Sequence, residues 1–295
     1  MPSWIRCGRR PTAAAPSADP RSPTAPPQDL GSYDTAVNNP DIAWLTPTLA
    51  KLSHEEGLRL ERFYVNKFCS PTRRSYLTGR FPVSVSMMQA QPCDNTLPLE
   101  ATLLSQKLKQ APTPWSNHFI GKGHLGYPTT DHLPVNRGFD THVGYLMGAE
   151  NYEYGFNEGR KDSHDCPKAM HGQCVYDMWH DTHTGESIHE DIFYSTNYYT
   201  SRAINILLNH TKTAPSQPLW VHLMYQGVHS PYSESPVWEQ IENNSQSNLF
   251  WDPHPFGDML RAVDTGIGNL TSGINSVSGL WEETLLIISA HCPRP

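Results

Sequence analysis

The spacing of apolar residues predicts four helices along this chain. The first covers residues 46–57, with Thr46 as N-cap, Pro47 at the first helical position, and Leu49 and Leu52 on one face. The other predicted helices, in which apolar residues recur at three and four positions, cover residues 99–109, 194–209 and 259–277.

Short apolar runs between these helices predict strands at residues 118–120, 219–225 and 284–289. The last run is the most aliphatic, so we expect it to be a buried strand. Residues 126–190 show little periodicity and are predicted to be a loop-rich insertion over the active face. Alternating helices and buried strands indicate the α/β class, with a sheet covered by helices on both faces.

Composition limits the classes of function that this chain can serve. Its 295 residues are 37% hydrophobic and include 26 prolines, which suits a large, loop-rich globular core. The net charge of −7 argues against a nucleic-acid partner, which would favour a basic patch. No apolar run approaches the roughly 20 residues that cross a bilayer. We therefore predict a soluble protein with no nucleic-acid partner and no membrane span.

Residues 1–27 differ in composition from the rest of the chain. They are rich in Ala, Pro, Ser and Arg and lack the apolar segment of a secretory signal. The sequence predicts a disordered extension here, followed by a folded domain over 28–295.

The segment from Cys69 to Arg80, CSPTRRSYLTGR, is the most informative stretch for chemistry. Ser70 is predicted to be the N-cap of a helix with Pro71 at its first position, and Gly79 is predicted to end that helix. Cys69 would then lie at a helix N-terminus, where free amides and the helix dipole favour anionic groups.

This segment resembles the C-x-P-x-R signature of the type I sulfatases, and other segments resemble further motifs of that family in the same order. They are residues 29–34 (DLGSYD), 121–126 (GKGHLG, with Gly123 where the family has Trp), 137–140 (RGFD) and 228–231 (VHSP). The resemblance runs from about residue 28 to residue 290 and is greatest to arylsulfatase B-like members. It implies the alkaline-phosphatase-like fold of the sulfatase N-terminal domain, with a mixed sheet.

The resemblance also implies a reaction and the residues that perform it. A formylglycine-generating enzyme would oxidise Cys69, and the hydrated aldehyde would attack the sulfur of a sulfated small molecule or glycan. Arg73 would orient the hydrate, and Lys122 would bridge it to a sulfate oxygen. His124 would accept the proton released when the aldehyde re-forms, and His229 would donate a hydrogen bond to sulfate or the leaving oxygen.

In the family, oxygen ligands hold a divalent cation, usually Ca²⁺. Asp29 and the modified Cys69 match two of these ligands. Gln28 stands in place of the first aspartate, and His291 and Cys292 stand in place of a late Asp-Asn pair. These two are softer ligands that suit Zn²⁺ better than Ca²⁺.

Both ends of the matching region depart from the family. The family's strand before Asp29 and its subdomain after the position of residue 295 have no counterpart in this sequence. We interpret these differences as those of a truncated or alternatively spliced product or a mistaken gene model. Because a missing central strand leaves unpaired edges, we expect this form to be marginally stable and its activity to be impaired.

Other features favour the secretory pathway, lysosomal or extracellular. Sequons for N-glycosylation begin at Asn209, Asn243 and Asn269. Cys166 and Cys174 are close enough in sequence to pair, whereas the other cysteines have no clear partners.

The residues leave two alternatives to sulfate ester hydrolysis. The chain could bind sulfated glycans without turnover, using its cationic residues as an anion pocket. It could instead be a phosphonate or phosphodiester hydrolase of the same superfamily, which can share the cysteine-derived nucleophile.

Overall fold

The computed structural model describes residues 30–31, 33–60, 62–66, 68–152, 177–184, 194–229 and 255–290. The predicted extension over residues 1–27 lies outside these ranges. No helix among them is both long and apolar enough to cross a membrane.

A mixed sheet forms the centre of the described chain, in the order β4-β3-β2-β1-β5. Its strands are β1 (Ser116–Gly121), β2 (Thr141–Tyr145), β3 (Met178–His180), β4 (His183–Thr184) and β5 (Leu219–Met224). β1 runs parallel to β2 and β5, whereas β3 and β4 are antiparallel to their neighbours. The strands predicted at 118–120 and 219–225 are therefore confirmed as β1 and β5.

The helices are α1 (Pro47–Lys51), α2 (Cys69–Thr78), α3 (Pro82–Val85), α4 (Leu104–Lys109), α5 (Ser195–Thr213) and α6 (Pro255–Asn275). A π-helical turn over Leu52–Glu56 extends α1, and short 3₁₀ turns cover Pro40–Ile42, Thr130–His132 and Pro134–Arg137. The helices predicted at 194–209 and 259–277 are confirmed by α5 and α6.

Helices cover both faces of the sheet, as the sequence predicts. Neighbouring residues of β1 point to opposite faces. Phe119 packs in a cluster with Leu77 of α2, whereas Ile120 packs in another cluster with Tyr199 and Ala203 of α5.

One predicted helix begins as expected but lacks its side-chain cap, and another begins later than predicted. Thr46 does not cap α1, because its hydroxyl accepts the Ala36 amide instead, at 2.8 Å. The helix predicted at 99–109 begins only at Leu104, since Leu103 is extended and its amide donates to the side chain of Gln106 at 2.9 Å. Leu99, which the pattern places on the buried face, is 41% exposed as a result.

Residues 126–190 are not simply a loop-rich insertion over the active face, as predicted, because β2, β3 and β4 of the sheet all come from this region. Two of the buried side chains of β2 are His142 and Tyr145, both 0% exposed. A strand built from such residues has no aliphatic run for sequence analysis to detect.

The buried strand predicted at 284–289 is also wrong. These residues have no regular structure, and Leu285 and Ile287 are 85% and 64% exposed. The preceding residues close local turns, such as Thr284 N–H to Trp281 C=O at 3.1 Å. A strand needs a neighbouring ladder, and no described strand pairs with this run.

Candidate active site

Cys69 lies in the first turn of α2, at the edge of the sheet where β1 and β5 end. Its sulfur forms no disulfide, and the residue is 3% exposed. The helix begins at Cys69 itself, so the prediction of Ser70 as N-cap is wrong. The Ser70 hydroxyl accepts the Ala90 amide at 2.9 Å and is therefore not available for capping. The predicted end of the helix is confirmed, because Gly79 adopts φ +66° and its N–H donates to Ser75.

Lys122 brings a buried ammonium group to Cys69. Its Nζ donates to Sγ of Cys69 at 3.7 Å, and the residue is 1% exposed. β1 ends at Gly121, where φ is +92° and an added Cβ would lie 2.0 Å from the Met224 carbonyl oxygen. A side chain at that position would force β1 and β5 apart. Gly121 is thus required for the turn that directs Lys122 into the site.

Arg73 lies one helical turn after Cys69 and points to the same place. Its Nη1 donates to the Lys122 carbonyl at 2.6 Å, and the residue is 3% exposed. Two cationic side chains are therefore buried beside one thiol. This arrangement favours an anionic ligand, because buried charges are stable when they are paired.

His124 completes the cluster. It occupies the left-handed region at φ +56°, where its amide donates to the Leu146 carbonyl at 3.1 Å, and its ring is hydrogen-bonded to Cys69. Burial lowers the pKa of His124 to about 4, although the bond to Cys69 raises it. Gly148 packs on the ring, since an added Cβ would lie 2.8 Å from Cε1 of His124. The imidazole is therefore neutral near pH 7.

His229 follows β5, at the same edge of the sheet. Gly121 and Met224 are in register at the carboxyl ends of parallel strands, so the segments after them start side by side. The His229 amide donates to the Gln226 carbonyl at 2.9 Å, and Tyr152 donates to the His229 carbonyl at 2.8 Å. The structure thus brings together Cys69, Arg73, Lys122 and His124, whereas His229 lies in the turn after β5 and contacts Gln226 and Tyr152.

The described residues around Cys69 do not fit a hard divalent cation. Nearby side chains supply ammonium, guanidinium and imidazole groups, whereas Ca²⁺ needs several carboxylate or carbonyl oxygens. Within the described ranges, no three His, Cys, Asp or Glu side chains are grouped to hold a metal ion. The predicted ligand Asp29 and the predicted substitutes His291 and Cys292 lie outside these ranges.

Sequence analysis missed a set of buried polar residues behind Lys122. They are Tyr145, Glu150, Tyr199 and Gln226, each no more than 3% exposed. Glu150 lies in a stretch without periodicity, so no sequence signal distinguishes it from a loop residue. Only the strand pairing brings it to the site.

Some of the cysteines and two of the three sequon asparagines lie within the described residues. Cys93 is disulfide-bonded, which corrects the expectation that it has no partner. Cys166, Cys174 and Asn243 lie outside the described residues. Asn209 and Asn269 are exposed on α5 and α6.

Comparison with known proteins gives a consistent result. A family model described as Sulfatase matches residues 22–291. Arylsulfatase J of Mus musculus is 33% identical over 267 residues, which are 89% of this chain and 40% of that protein. N-acetylgalactosamine-6-sulfatase of Mus musculus is 25% identical over 284 residues, covering 89% of this chain and 48% of that protein.

Solved structures agree on the fold. The crystal structure of Ps i-CgsB matches with a TM-score of 0.63 and 25% identity, over 78% of this chain and 49% of that one. The chain thus spans less than half the length of these relatives.

Proposed function

Because this chain belongs to the sulfatase family, we propose that it hydrolyses sulfate monoesters at the site around Cys69. The observation that carries this proposal is the contact between Lys122 and Cys69, with Arg73 buried beside them. The sulfuryl oxygens of a sulfate ester are negatively charged, and preorganised cations in a dry site stabilise them strongly.

The nucleophile that we propose is a formylglycine formed from Cys69 by a formylglycine-generating enzyme. Its hydrate supplies a geminal diol, in which one hydroxyl can attack sulfur and the other can later expel sulfate. The position of Cys69, outside any disulfide and at the start of a helix, supports this assignment, since the helix N-terminus favours developing negative charge there.

The remaining residues have separate proposed roles. Lys122 binds a sulfuryl oxygen as a point charge, and Arg73 fixes the backbone of Lys122 through its carbonyl. His124 is the acceptor of the proton from position 69, and burial keeps its ring neutral before that step. His229 donates to the leaving oxygen. The net reaction consumes one water and yields the alcohol, sulfate and a proton.

We also propose a divalent cation, with Ca²⁺ as the family's usual ion and Asp29 and position 69 as ligands. The described residues do not supply its other oxygen ligands. We therefore assign the cation no step.

The substrate is proposed to be a sulfated small molecule or glycan. Relatives of this chain are named for both classes, arylsulfatase J and N-acetylgalactosamine-6-sulfatase. We place the protein in the secretory pathway, which the disulfide at Cys93 and the exposed sequon residues Asn209 and Asn269 support.

The proposal is tested by turnover of 4-nitrophenyl sulfate by the full chain co-expressed with a formylglycine-generating enzyme. We expect release of 4-nitrophenol that Cys69→Ala abolishes. Turnover of an aryl phosphonate instead would favour the phosphonate hydrolase. Binding of sulfated glycan without any turnover would favour the anion-binding alternative. The buried cations are consistent with that alternative, as is the lack of a group of metal ligands among the described residues.

A further inference from the structure

A buried carboxyl group lies just before β3, and its hydrogen bonds hold the segment that follows β2. Asp177 is 4% exposed. Its Oδ2 accepts the main-chain amides of Leu146 at 3.1 Å and Met147 at 2.6 Å, and its Oδ1 accepts the indole N–H of Trp179 at 2.9 Å. The side chain of Tyr127 also forms a hydrogen bond to it. None of these donors is a cation, so the bonds serve to fix the main chain after β2.

The segment that Asp177 holds is the one against which His124 lies. The Leu146 carbonyl accepts the His124 amide at 3.1 Å. Gly148 then packs on the imidazole ring, where an added Cβ would lie 2.8 Å from Cε1. Both the backbone and the ring of His124 therefore rest on this segment.

The imidazole of His124 depends on such support. The residue lies in the left-handed region at φ +56°, which is uncommon for a side chain other than glycine. Its ring is hydrogen-bonded to Cys69, but Nδ1 is buried and has no hydrogen-bond partner among the described residues. A catalytic base is commonly oriented by a group on its second nitrogen. Because the described residues supply no such group, packing against the segment after β2 must set the ring's position.

We propose that Asp177 is a positioning residue for His124. Its carboxyl group accepts the consecutive amides of Leu146 and Met147 and so fixes the main chain that holds the imidazole beside position 69. Asp177 acts on position 69 through His124 alone. This inference rests on the proposed function, because the position of the ring matters for proton transfer from the hydrated aldehyde.

The test is a double-mutant cycle on the unconverted full chain, in which position 69 is still a thiol. The rate at which iodoacetamide alkylates Cys69 is followed by peptide mass spectrometry, so alkylation of other cysteines does not interfere. A reagent reaches a side chain that is 3% exposed only when its surroundings open. The rate therefore reports how firmly His124 is held over the sulfur, and it requires no turnover.

The cycle has an expected result for each variant. Asp177→Asn keeps the size of the side chain, but one of its terminal atoms is a donor, so it cannot accept hydrogen bonds on both sides. We expect it to raise the alkylation rate of Cys69 about threefold or more. His124→Ala should also raise the rate, and adding Asp177→Asn to it should change nothing further, because no ring is left to displace. Asp181→Asn is the matched control, since that carboxyl group accepts the His142 amide at 2.8 Å near the start of β2, and its rate should equal that of the wild type.

The converted enzyme gives a second readout. We expect kcat for 4-nitrophenyl sulfate to fall about threefold or more in Asp177→Asn and to stay unchanged in Asp181→Asn, because a displaced proton acceptor slows a step after binding. Absence of turnover in the wild type would remove the proposed function. The alkylation cycle would still decide whether Asp177 holds His124.

Three outcomes of the cycle would overturn the inference. A wild-type alkylation rate in Asp177→Asn would show that the segment after β2 does not need this carboxyl group. A wild-type rate in His124→Ala would show that the ring does not cover position 69. An equal rise from Asp177→Asn with and without His124 would mean that Asp177 only stabilises the fold.

A second variant keeps the test decisive if Asp177→Asn does not fold. Asp177→Glu keeps the charge but displaces the carboxyl group by one methylene, and it is measured with and without His124. We expect it to raise the alkylation rate of Cys69 only when His124 is present. An unchanged rate, or an equal rise in both backgrounds, would again count against the inference.

Discussion

Nζ of Lys122 lies 3.7 Å from Sγ of Cys69, and both side chains are buried. The two residues come from different elements, the loop after β1 and the first turn of α2. Their contact therefore depends on how α2 packs against the end of the sheet. A buried ammonium at this distance from a nucleophile can bind an oxygen of the group under attack.

Replacement of Lys122 should therefore remove transition-state stabilisation. We expect Lys122→Met to lower kcat/KM for an aryl sulfate by about 10²-fold or more, as for the loss of one preorganised donor. Steady-state kinetics of the converted enzyme measures this loss. The exposed Lys107→Met is the control, and an equal loss in both variants would contradict a local role for Lys122.

Gly148 leaves no room for a side chain above His124. A Cβ there would lie 2.8 Å from Cε1 of the imidazole, so Gly148→Ala must displace the ring. We expect kcat to fall about tenfold or more, because a small displacement of a group that takes part in the reaction lowers the rate strongly. At Gly257 on α6 an added Cβ meets nothing within 4 Å, so Gly257→Ala should keep full activity. Wild-type kcat in Gly148→Ala would show that the ring position does not matter.

The buried imidazole of His142 should make stability depend on pH. Burial lowers its pKa to about 3 from the ordinary 6.5, and His180 lowers it further. Between these values the unfolded chain binds a proton that the folded chain does not. The free energy of unfolding should thus fall as pH falls through 6.5.

His142→Leu should flatten this dependence, as measured by urea unfolding at about pH 7 and about pH 4.5. The exposed His54→Leu should leave it unchanged. An acid-induced loss of stability that is identical in wild type and His142→Leu would argue against the assignment.

The run at 284–289 exposes aliphatic side chains that the sequence predicts to be buried. Exposed apolar strand-forming segments promote association between chains. Ile287→Lys should therefore reduce self-association in sedimentation velocity without lowering the thermal midpoint. Glu283→Lys adds a positive charge nearby but removes no apolar surface, and it should have less effect. A large drop in the midpoint of Ile287→Lys would show that this side chain is buried.

The sequence predicts the cluster around Cys69 better than it predicts the sheet. Cys69, Arg73, Lys122 and His124 lie in short motifs whose residues are close in sequence, and the structure brings them together. The prediction that Ser70 is the N-cap is wrong because its hydroxyl accepts a hydrogen bond from the Ala90 amide instead. Local capping rules cannot anticipate a competitor from a distant segment.

Errors in the strands have a similar cause. β2 buries His142 and Tyr145, so hydrophobic periodicity does not mark it, whereas the aliphatic run at 284–289 has no ladder to join. Glu150 could not be recognised for a related reason. Its hydrogen bonds to Tyr199 and Gln226 depend on the packing of α5 and β5. The predicted marginal stability stays a prediction, and a cooperative thermal transition of the recombinant chain would contradict it.

The most direct measurement of the central claim is peptide mass spectrometry across Cys69 in native material. We expect the peptide containing position 69 to carry an aldehyde in place of the thiol. Unmodified thiol in all of the material would contradict the claim that this chain is an active sulfatase.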